Sequence, residues 1–179
     1  MSTNRTRTLV EIAIMIALST ALSQFTLFSM PQGGSVTPAS MVPILLVGLR
    51  HGPKWGVAAG VVTGLLNLIL KPQAYYPVQV LLDYPIAFGV LGLAGLAAGK
   101  SETAGAVLGS LALFGRFVAH VLSGVFFFAE YAPPGQNVWV YSMVYNGSYM
   151  LPELAISAVM LIVLLPVLRR VVPVARRTA

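Results

Sequence analysis

Four polar side chains that could bind a small molecule stand inside otherwise apolar stretches of this sequence. They are the carboxylate of Asp83, the imidazole of His120, the phenol of Tyr141 and the amide of Asn146. At 1.5 Å per helical residue, Asp83 should lie about 7 Å, and His120 about 12 Å, from one end of their helices. The other two should occupy the first two turns of a third helix at that same end. The spacing therefore predicts a polar layer shared by three helices.

Aromatic residues are frequent around this layer: Tyr75, Tyr76, Tyr84, Phe126, Phe127, Phe128 and Tyr145. A carboxylate can pair with a cation, and aromatic faces stack on flat rings and cations. The layer therefore predicts a pocket for a flat, positively charged small molecule.

These residues also have structural interpretations, which remain open at this point. A lone histidine such as His120 is often a satisfied structural group, Asn146 could cap or pack a helix, and Tyr75 and Tyr76 suit an interfacial aromatic belt. Asp83 has no basic neighbour in the sequence. A carboxylate inside an apolar helix is by default a functional-site hypothesis.

A second polar pair is expected deeper in the molecule. Arg116 lies 12 residues before Phe128, and Glu153 lies 12 residues after Tyr141. On antiparallel helices both should sit about 18 Å below the same end. The simpler prediction is a structural ion pair between them, and the alternative is a proton relay.

The sequence offers little machinery for covalent chemistry or for ATP hydrolysis. It contains no cysteine, two histidines, and no phosphate-binding loop, metal-ligand cluster or nucleophile elbow. We therefore expect no cofactor and no bound metal. Any energy that its function requires would come from an ion gradient or from another subunit. A membrane enzyme using Asp83 and His120 as base and acid is a further alternative.

The helices that carry these residues are expected to lie in a membrane. Of the 179 residues, 57% are hydrophobic and only 9% are charged, which is too few charges for a water-soluble surface. The net charge of +6 comes from basic residues at the ends of apolar runs, which is typical of membrane topology and not of nucleic-acid binding. Because a spanning helix needs about 20 apolar residues, we predict an all-α bundle of six transmembrane helices, forming a single membrane domain over residues 1–179.

Apolar runs bounded by charge, proline and glycine predict spans near 9–28, 39–50, 55–70, 78–98, 104–128 and 141–168. The second run is so short that it predicts a half-spanning or strongly tilted helix. The first is expected to be retained and not cleaved as a signal peptide.

Basic residues lie almost entirely on one side of these spans. If the N-terminus is inside, the inside segments hold Arg5, Arg7, Arg50, Lys54, Lys100, Arg169, Arg170, Arg176 and Arg177. The outside segments hold only Lys71. This asymmetry predicts that both termini are cytoplasmic.

Loops and small residues give two further expectations. The outside loops 30–38 and 129–140 are long enough to be lids over a site or simple connections. Glycines at every fourth position in the third span predict close helix packing. Ala13, Ala17 and Ala21 form a similar stripe in the first span, which either packs inside the fold or docks another membrane protein.

Six short motifs, taken together with their order along the chain, resemble the pattern of one protein family. They are Gly33-Gly34-Ser35-Val36-Thr37, Met41-Val42-Pro43-Ile44, Arg50-His51-Gly52, Leu82-Asp83-Tyr84-Pro85, His120-Val121-Leu122-Ser123-Gly124 and Tyr141-Ser142-Met143-Val144-Tyr145-Asn146-Gly147. From about Leu9 to Arg170 the sequence resembles the thiamine-specific S component of energy-coupling factor (ECF) transporters. The resemblance implies a six-helix, non-enzymatic membrane subunit that binds thiamine from outside. It also implies three partners, a transmembrane coupling protein and two ATPase subunits.

The resemblance also implies roles for individual residues. The implied substrate-binding residues are Asp83, Tyr84, His120, Gly124, Phe128, Tyr141 and Asn146. Asp83 replaces the family's usual glutamate near the thiazolium, and Gly124 matches a glycine that leaves room for the ligand. Ala13 and Ala17 match the A-x-x-x-A motif through which helix one contacts the coupling protein.

Two positions depart from the pattern of some relatives, which carry a tryptophan at each. Here these positions are Phe128 and Gly34. Phe128 can still stack on a ligand, whereas Gly34 cannot.

Residues and resemblance together predict a high-affinity thiamine-binding subunit, embedded as a multi-pass protein in the lipid of a bacterial cell membrane. Thiamine carries a thiazolium cation and a flat aminopyrimidine, which suit a carboxylate among aromatic rings. The principal alternative is an autonomous proton-coupled thiamine transporter in which Arg116, Glu153 and Asp83 assist coupling.

Overall fold

A computed structural model describes residues 3–73 and 75–171 of the chain, with side chains over 5–73 and 75–167. Six helices occupy most of this length: α1 (Thr3–Gln24), α2 (Val42–His51), α3 (Pro53–Leu70), α4 (Pro77–Ala97), α5 (Glu102–Phe127) and α6 (Val138–Val171). After α1, strands β1 (Phe28–Ser29) and β2 (Ser35–Val36) pair as an antiparallel hairpin. A single 3-10 turn, Ala129–Tyr131, follows α5. The predicted helical architecture is confirmed, with the hairpin as an unpredicted addition.

Five of these helices, all except α2, are long and apolar enough to cross a membrane. Helix α2 has ten residues, so its length of about 15 Å is half the thickness of a bilayer core. The described part of the chain therefore has five helices of sufficient length and hydropathy to span a membrane, and one short apolar helix. Arg176 and Arg177, which contributed to the predicted orientation, lie outside the described residues.

The first predicted span, 9–28, was wrong at its end, because α1 stops at Gln24 and Phe28 lies in β1. The cause is a tertiary contact. The ammonium group of Lys71 donates to the backbone oxygen of Ser23 at 2.7 Å and to the hydroxyl of Thr26 at 3.1 Å. A cation that satisfies terminal carbonyls stabilises the end of a helix there.

Helix α4 is irregular at the point where the candidate acid lies. Its turn Leu82–Ile86 is π-helical, and its last part, Gly92–Ala97, is a 3-10 helix. Pro85 lies inside the π-helical turn. Proline has no N–H and its ring clashes with the carbonyl four residues earlier, so it disturbs the regular hydrogen bonding of the helix at this turn. The wider turn displaces the Asp83 backbone from the regular α-helical path.

Glycines bring α3 and α4 close together, as the four-residue spacing predicted. A Cβ atom added at Gly60 would lie 2.2 Å from the backbone oxygen of Phe88, and one at Gly64 would lie 2.5 Å from that of Tyr84. Backbone atoms cannot move aside as a flexible side chain can. This close contact of Gly60 and Gly64 with α4, the α3–α4 seam, therefore fixes the position of the π-helical turn along the axis of α3.

Helix α1 lies at the edge of the bundle, against α2 and α3. Ala13 and Ala17 are exposed on its outer face. Glu11 joins α1 to α2 through an ion pair with Arg50, whose Nε lies 2.7 Å from the carboxylate. The described part of the chain therefore leaves Ala13 and Ala17 of the alanine stripe uncovered.

Candidate ligand-binding site

A cavity of about 460 Å³ lies between the hairpin and the adjoining parts of the helices. This is within the usual range for small-molecule sites. All seven residues predicted to bind substrate line it: Asp83, Tyr84, His120, Gly124, Phe128, Tyr141 and Asn146. The structure therefore brings the predicted set to one place.

Three neighbours hold the carboxylate of Asp83 at the cavity wall. His120 Nδ1 lies 3.0 Å from Oδ1, while the Gln79 amide and the Ser123 hydroxyl donate to Oδ2 at 2.7 Å and 2.9 Å. The side chains of Asp83 and His120 are only 15% and 13% exposed. A carboxylate fixed in this way, with little water around it, can interact strongly with a cation.

Tyr84 supports the site from the adjacent position. Its hydroxyl accepts from the backbone N–H of Gln73 at 2.9 Å and donates to the backbone oxygen of Lys71 at 3.0 Å. Both partners belong to the connection between α3 and α4. Tyr84 is buried, so it positions the wall of the cavity through this connection.

Helix α6 contributes a column of hydrogen-bonded and aromatic side chains. The Asn146 amide donates to the backbone oxygen of Ser142 at 2.9 Å, and its oxygen accepts from the Tyr149 hydroxyl at 2.7 Å. The ring of Tyr145 lies 5.9 Å from that of Tyr141 and 6.3 Å from that of Tyr149. Asn146 is therefore buried with satisfied hydrogen bonds, and the aromatic column forms one side of the cavity.

Gly124 lines the cavity and also packs against the neighbouring helix. A Cβ atom at this position would lie 2.2 Å from the hydroxyl oxygen of Ser142 and 3.2 Å from the Asn146 amide nitrogen. The absent side chain therefore leaves room for a neighbouring helix. Gly124 therefore sets the distance between α5 and α6 beside the cavity.

Phe128 directly follows α5 and contacts two other aromatic rings. Its ring centre lies 5.8 Å from that of Tyr75, edge to face, and 6.1 Å from that of Tyr131. Tyr75 is 63% exposed, which agrees with its interfacial interpretation. Phe128 alone of these three lines the cavity.

The hairpin loop closes on the aromatic column. The Tyr145 hydroxyl donates to the Gly33 backbone oxygen at 2.9 Å and accepts from the Gln32 N–H at 2.8 Å. Gly34 has φ +89°, and a Cβ atom there would lie 2.5 Å from the Tyr149 ring. A side chain at Gly34 would be strained and would collide with that ring. The loop therefore covers the site with its backbone atoms, and position 34 contributes no aromatic side chain.

The predicted ion pair between Arg116 and Glu153 was wrong. Among the described residues, Glu153 accepts from the N–H and hydroxyl of Thr37, both at 2.5 Å, and from the hydroxyl of Ser40 at 3.3 Å. Arg116 lies over the ring of Phe88, with Cζ 3.9 Å from the ring centre. Both side chains line the inner end of the cavity.

Sequence reasoning missed four residues that position the site, although helical spacing links three of them to predicted residues. Gln79 precedes Asp83 by one turn, Ser123 follows His120 by three residues, and Tyr149 follows Asn146 by three. Such pairs share a helix face. Thr37 has no such signal, because it reaches Glu153 across 116 residues.

Comparisons with known proteins agree on one kind of protein. Residues 9–172 match the model of a family described as thiamine transporter protein (Thia_YuaJ). The chain is 42% identical over 171 residues to the thiamine transporter ThiT of Bacillus subtilis (strain 168), across 87% of this chain and 88% of that one. It is 35% identical over 152 residues to the thiamine transporter ThiT of Lacticaseibacillus paracasei, across 74% and 72%.

A solved structure of ThiT from Listeria monocytogenes has a similar fold. Its TM-score with this chain is 0.78 at 24% sequence identity, across 94% of this chain and 98% of that one. At this identity the match shows a shared fold and carries no argument about the ligand. The two sequence relatives and the family model carry that argument.

Proposed function

Because the chain belongs to the thiamine transporter protein family, we propose that it is the thiamine-binding membrane subunit of an energy-coupling factor importer. It captures thiamine from outside the bacterial cell. A transmembrane coupling protein and two ATPase subunits then supply the energy for uptake.

The observation that carries this proposal is the carboxylate of Asp83, held by His120, Ser123 and Gln79 at the wall of a 460 Å³ cavity. A permanent cation is the natural partner of such a group, since it needs no proton to pair. Thiazolium is a permanent cation.

The aromatic column suits the remainder of the same ligand. Tyr141, Tyr145 and Tyr149 present ring faces and edges within a few ångströms of one another. Flat heterocycles stack on such rings, and cations are attracted to their faces. These contacts need no chemical step, so the site supports binding without catalysis.

Dependence on separate ATPases rests on a different observation. The 179 residues contain no phosphate-binding loop, and the exposed Ala13 and Ala17 give α1 a smooth outer face on which another helix could pack. The proposal assigns this face to the coupling protein.

Two measurements test the proposal. Mass spectrometry of small molecules retained by the purified protein should detect thiamine, and recovery of a different vitamin without thiamine would overturn the ligand. Uptake into liposomes should require ATP together with the coupling protein and ATPases. Uptake by the chain alone, driven by a proton gradient, would establish the autonomous transporter in its place.

A further inference from the structure

Arg116 is the one cation at the inner end of the cavity among the described lining residues, and its hydrogen-bonding capacity is unused. Its Nε and Nη1 atoms are buried without a hydrogen-bond partner. The third nitrogen, Nη2, has no hydrogen bond to the described residues and is not buried in this way, so it is the donor that can face the cavity. The face of Phe88 partly offsets the charge, at 3.9 Å. A ring face accepts no regular hydrogen bond from the edge of the guanidinium, so the donors remain unsatisfied.

Glu153 does not satisfy these donors. Its Oε2 atom accepts from the Thr37 N–H, and its Oε1 atom accepts from the hydroxyls of Thr37 and Ser40. The acid is thus used to anchor the segment after the hairpin. The guanidinium needs an acceptor that this part of the chain does not supply.

Arg116 and Asp83 divide the cavity into two chemically different ends. Arg116 precedes His120 by four residues on α5, so it lies about 6 Å further from the hairpin end, on the same helix face. His120 contacts Asp83 directly. A ligand that spans both levels meets the Asp83 carboxylate at one level and the donors of Arg116 one helical turn below, where the Glu153 carboxylate is already occupied by other donors.

We propose that Arg116 is a specificity-determining residue that donates a hydrogen bond to a ring nitrogen of the ligand's aminopyrimidine, while Asp83 faces its thiazolium. This inference rests on the proposed function. The two rings of thiamine are joined by one carbon, so their centres are separated by roughly one helical turn, about 5.4 Å. Ring nitrogens of the aminopyrimidine are acceptors, which is what the guanidinium needs.

The test compares thiamine with an analogue in which both pyrimidine ring nitrogens are replaced by C–H. Calorimetry with the purified full-length chain in detergent should show that the parent prefers thiamine by roughly tenfold to a hundredfold, as for a hydrogen bond from a charged donor. Arg116→Met should lose that preference, with its affinity for the analogue within about threefold of the parent's.

A matched variant controls for general effects on α5. Val118→Met introduces the same side chain at a partly exposed position that does not line the cavity, and it should leave both affinities unchanged. Equal loss of both ligands in Arg116→Met would make Arg116 a structural residue and overturn the inference.

The parent alone also decides the question if Arg116→Met does not fold. Equal binding of thiamine and the analogue by the parent would overturn the inference while leaving the proposed function intact. Absence of thiamine binding by a folded parent would instead overturn the proposed function.

Discussion

The Asp83 carboxylate is held in position by its neighbours and still has the capacity to accept a further contact. A carboxylate has about four acceptor positions on its two oxygens. Here Oδ2 takes two donors, from Gln79 and Ser123, and Oδ1 takes one contact, from His120. One position on Oδ1 is left for a ligand, and the group does not need to reorganise when a cation arrives.

Replacing Asp83 with asparagine should weaken thiamine binding by about 1 to 3 kcal/mol, because a charge-assisted contact becomes neutral. Calorimetry on the purified protein measures the change. Glu130→Gln is the matched control, since Glu130 is exposed and does not line the cavity. An unchanged dissociation constant in a folded Asp83→Asn variant would remove Asp83 from the site.

Residue types and spacing predicted the cavity layer well but failed for the deeper pair. Counting residues gives the height of a side chain along its helix, and Asp83 and His120 do meet. Height does not give direction around the axis. In the structure the Arg116 side chain lies over the ring of Phe88 instead of meeting Glu153. Glu153 is hydrogen-bonded to Thr37, which lies outside the helices, so counting residues along helices could not predict this contact.

At the scale of elements, Glu153 ties the hairpin to α6. Its two contacts with Thr37 come directly after β2, and Ser40 adds a third. The Ser19 hydroxyl on α1 then donates to the Ser40 backbone oxygen at 2.6 Å. The segment after the hairpin is therefore hydrogen-bonded to helices on both sides.

The Thr37 and Glu153 contact should be measurable as a coupling energy. Thr37→Val and Glu153→Gln should each destabilise the protein, and the double variant should lose less than the sum by about 1 to 3 kcal/mol, because both single changes break the same buried contact. Thermal unfolding in detergent measures all four proteins. Strictly additive losses would show that the contact contributes no coupling.

The α3–α4 seam should not tolerate a methyl group. Gly60→Ala should destabilise the protein by about 1 to 3 kcal/mol, because the new Cβ would meet the Phe88 backbone oxygen, which cannot move aside. Gly147→Ala is the matched control. Its Cβ would meet only the Leu151 side chain, at 3.7 Å.

Thermal unfolding of both alanine variants decides this prediction. Gly147→Ala should be neutral or slightly stabilising, because alanine is the better helix former. If Gly60→Ala unfolds at the temperature of the parent, the seam can open without loss of stability. Its contribution to positioning the π-helical turn would then be refuted.

Continuous apolar runs predicted which segments are helical, because a chain buried in lipid must satisfy its backbone hydrogen bonds within the segment. Two details escaped it. The end of α1 depends on Lys71, far along the chain, and the hairpin is held partly by Tyr145. The π-helical turn had a local signal, Pro85 inside an apolar run, but its consequence for Asp83 required the structure.

At the scale of the whole molecule, the cavity and the alanine stripe lie apart. Of the described residues of α1, only Ser23 lines the cavity, and it is six residues, about 9 Å along the axis, beyond Ala17. Helix α1 has hydrogen bonds to the segment after the hairpin through Ser19 and to α3 through Ser23. Ligand binding and partner docking should therefore be separable by substitution.

Replacing both Ala13 and Ala17 with tryptophan should abolish assembly with the coupling protein and uptake, because bulky rings prevent close helix packing. Thiamine affinity in detergent should stay within about twofold of the parent, as expected for distant sites. Co-purification, uptake and calorimetry on the same preparations measure the three properties.

Tryptophans at Ala58 and Ala155, exposed on α3 and α6, are the control and should leave assembly intact. Normal uptake by the α1 variant would exclude the stripe as the docking face, and loss of thiamine binding in a folded α1 variant would show that the stripe also supports the cavity.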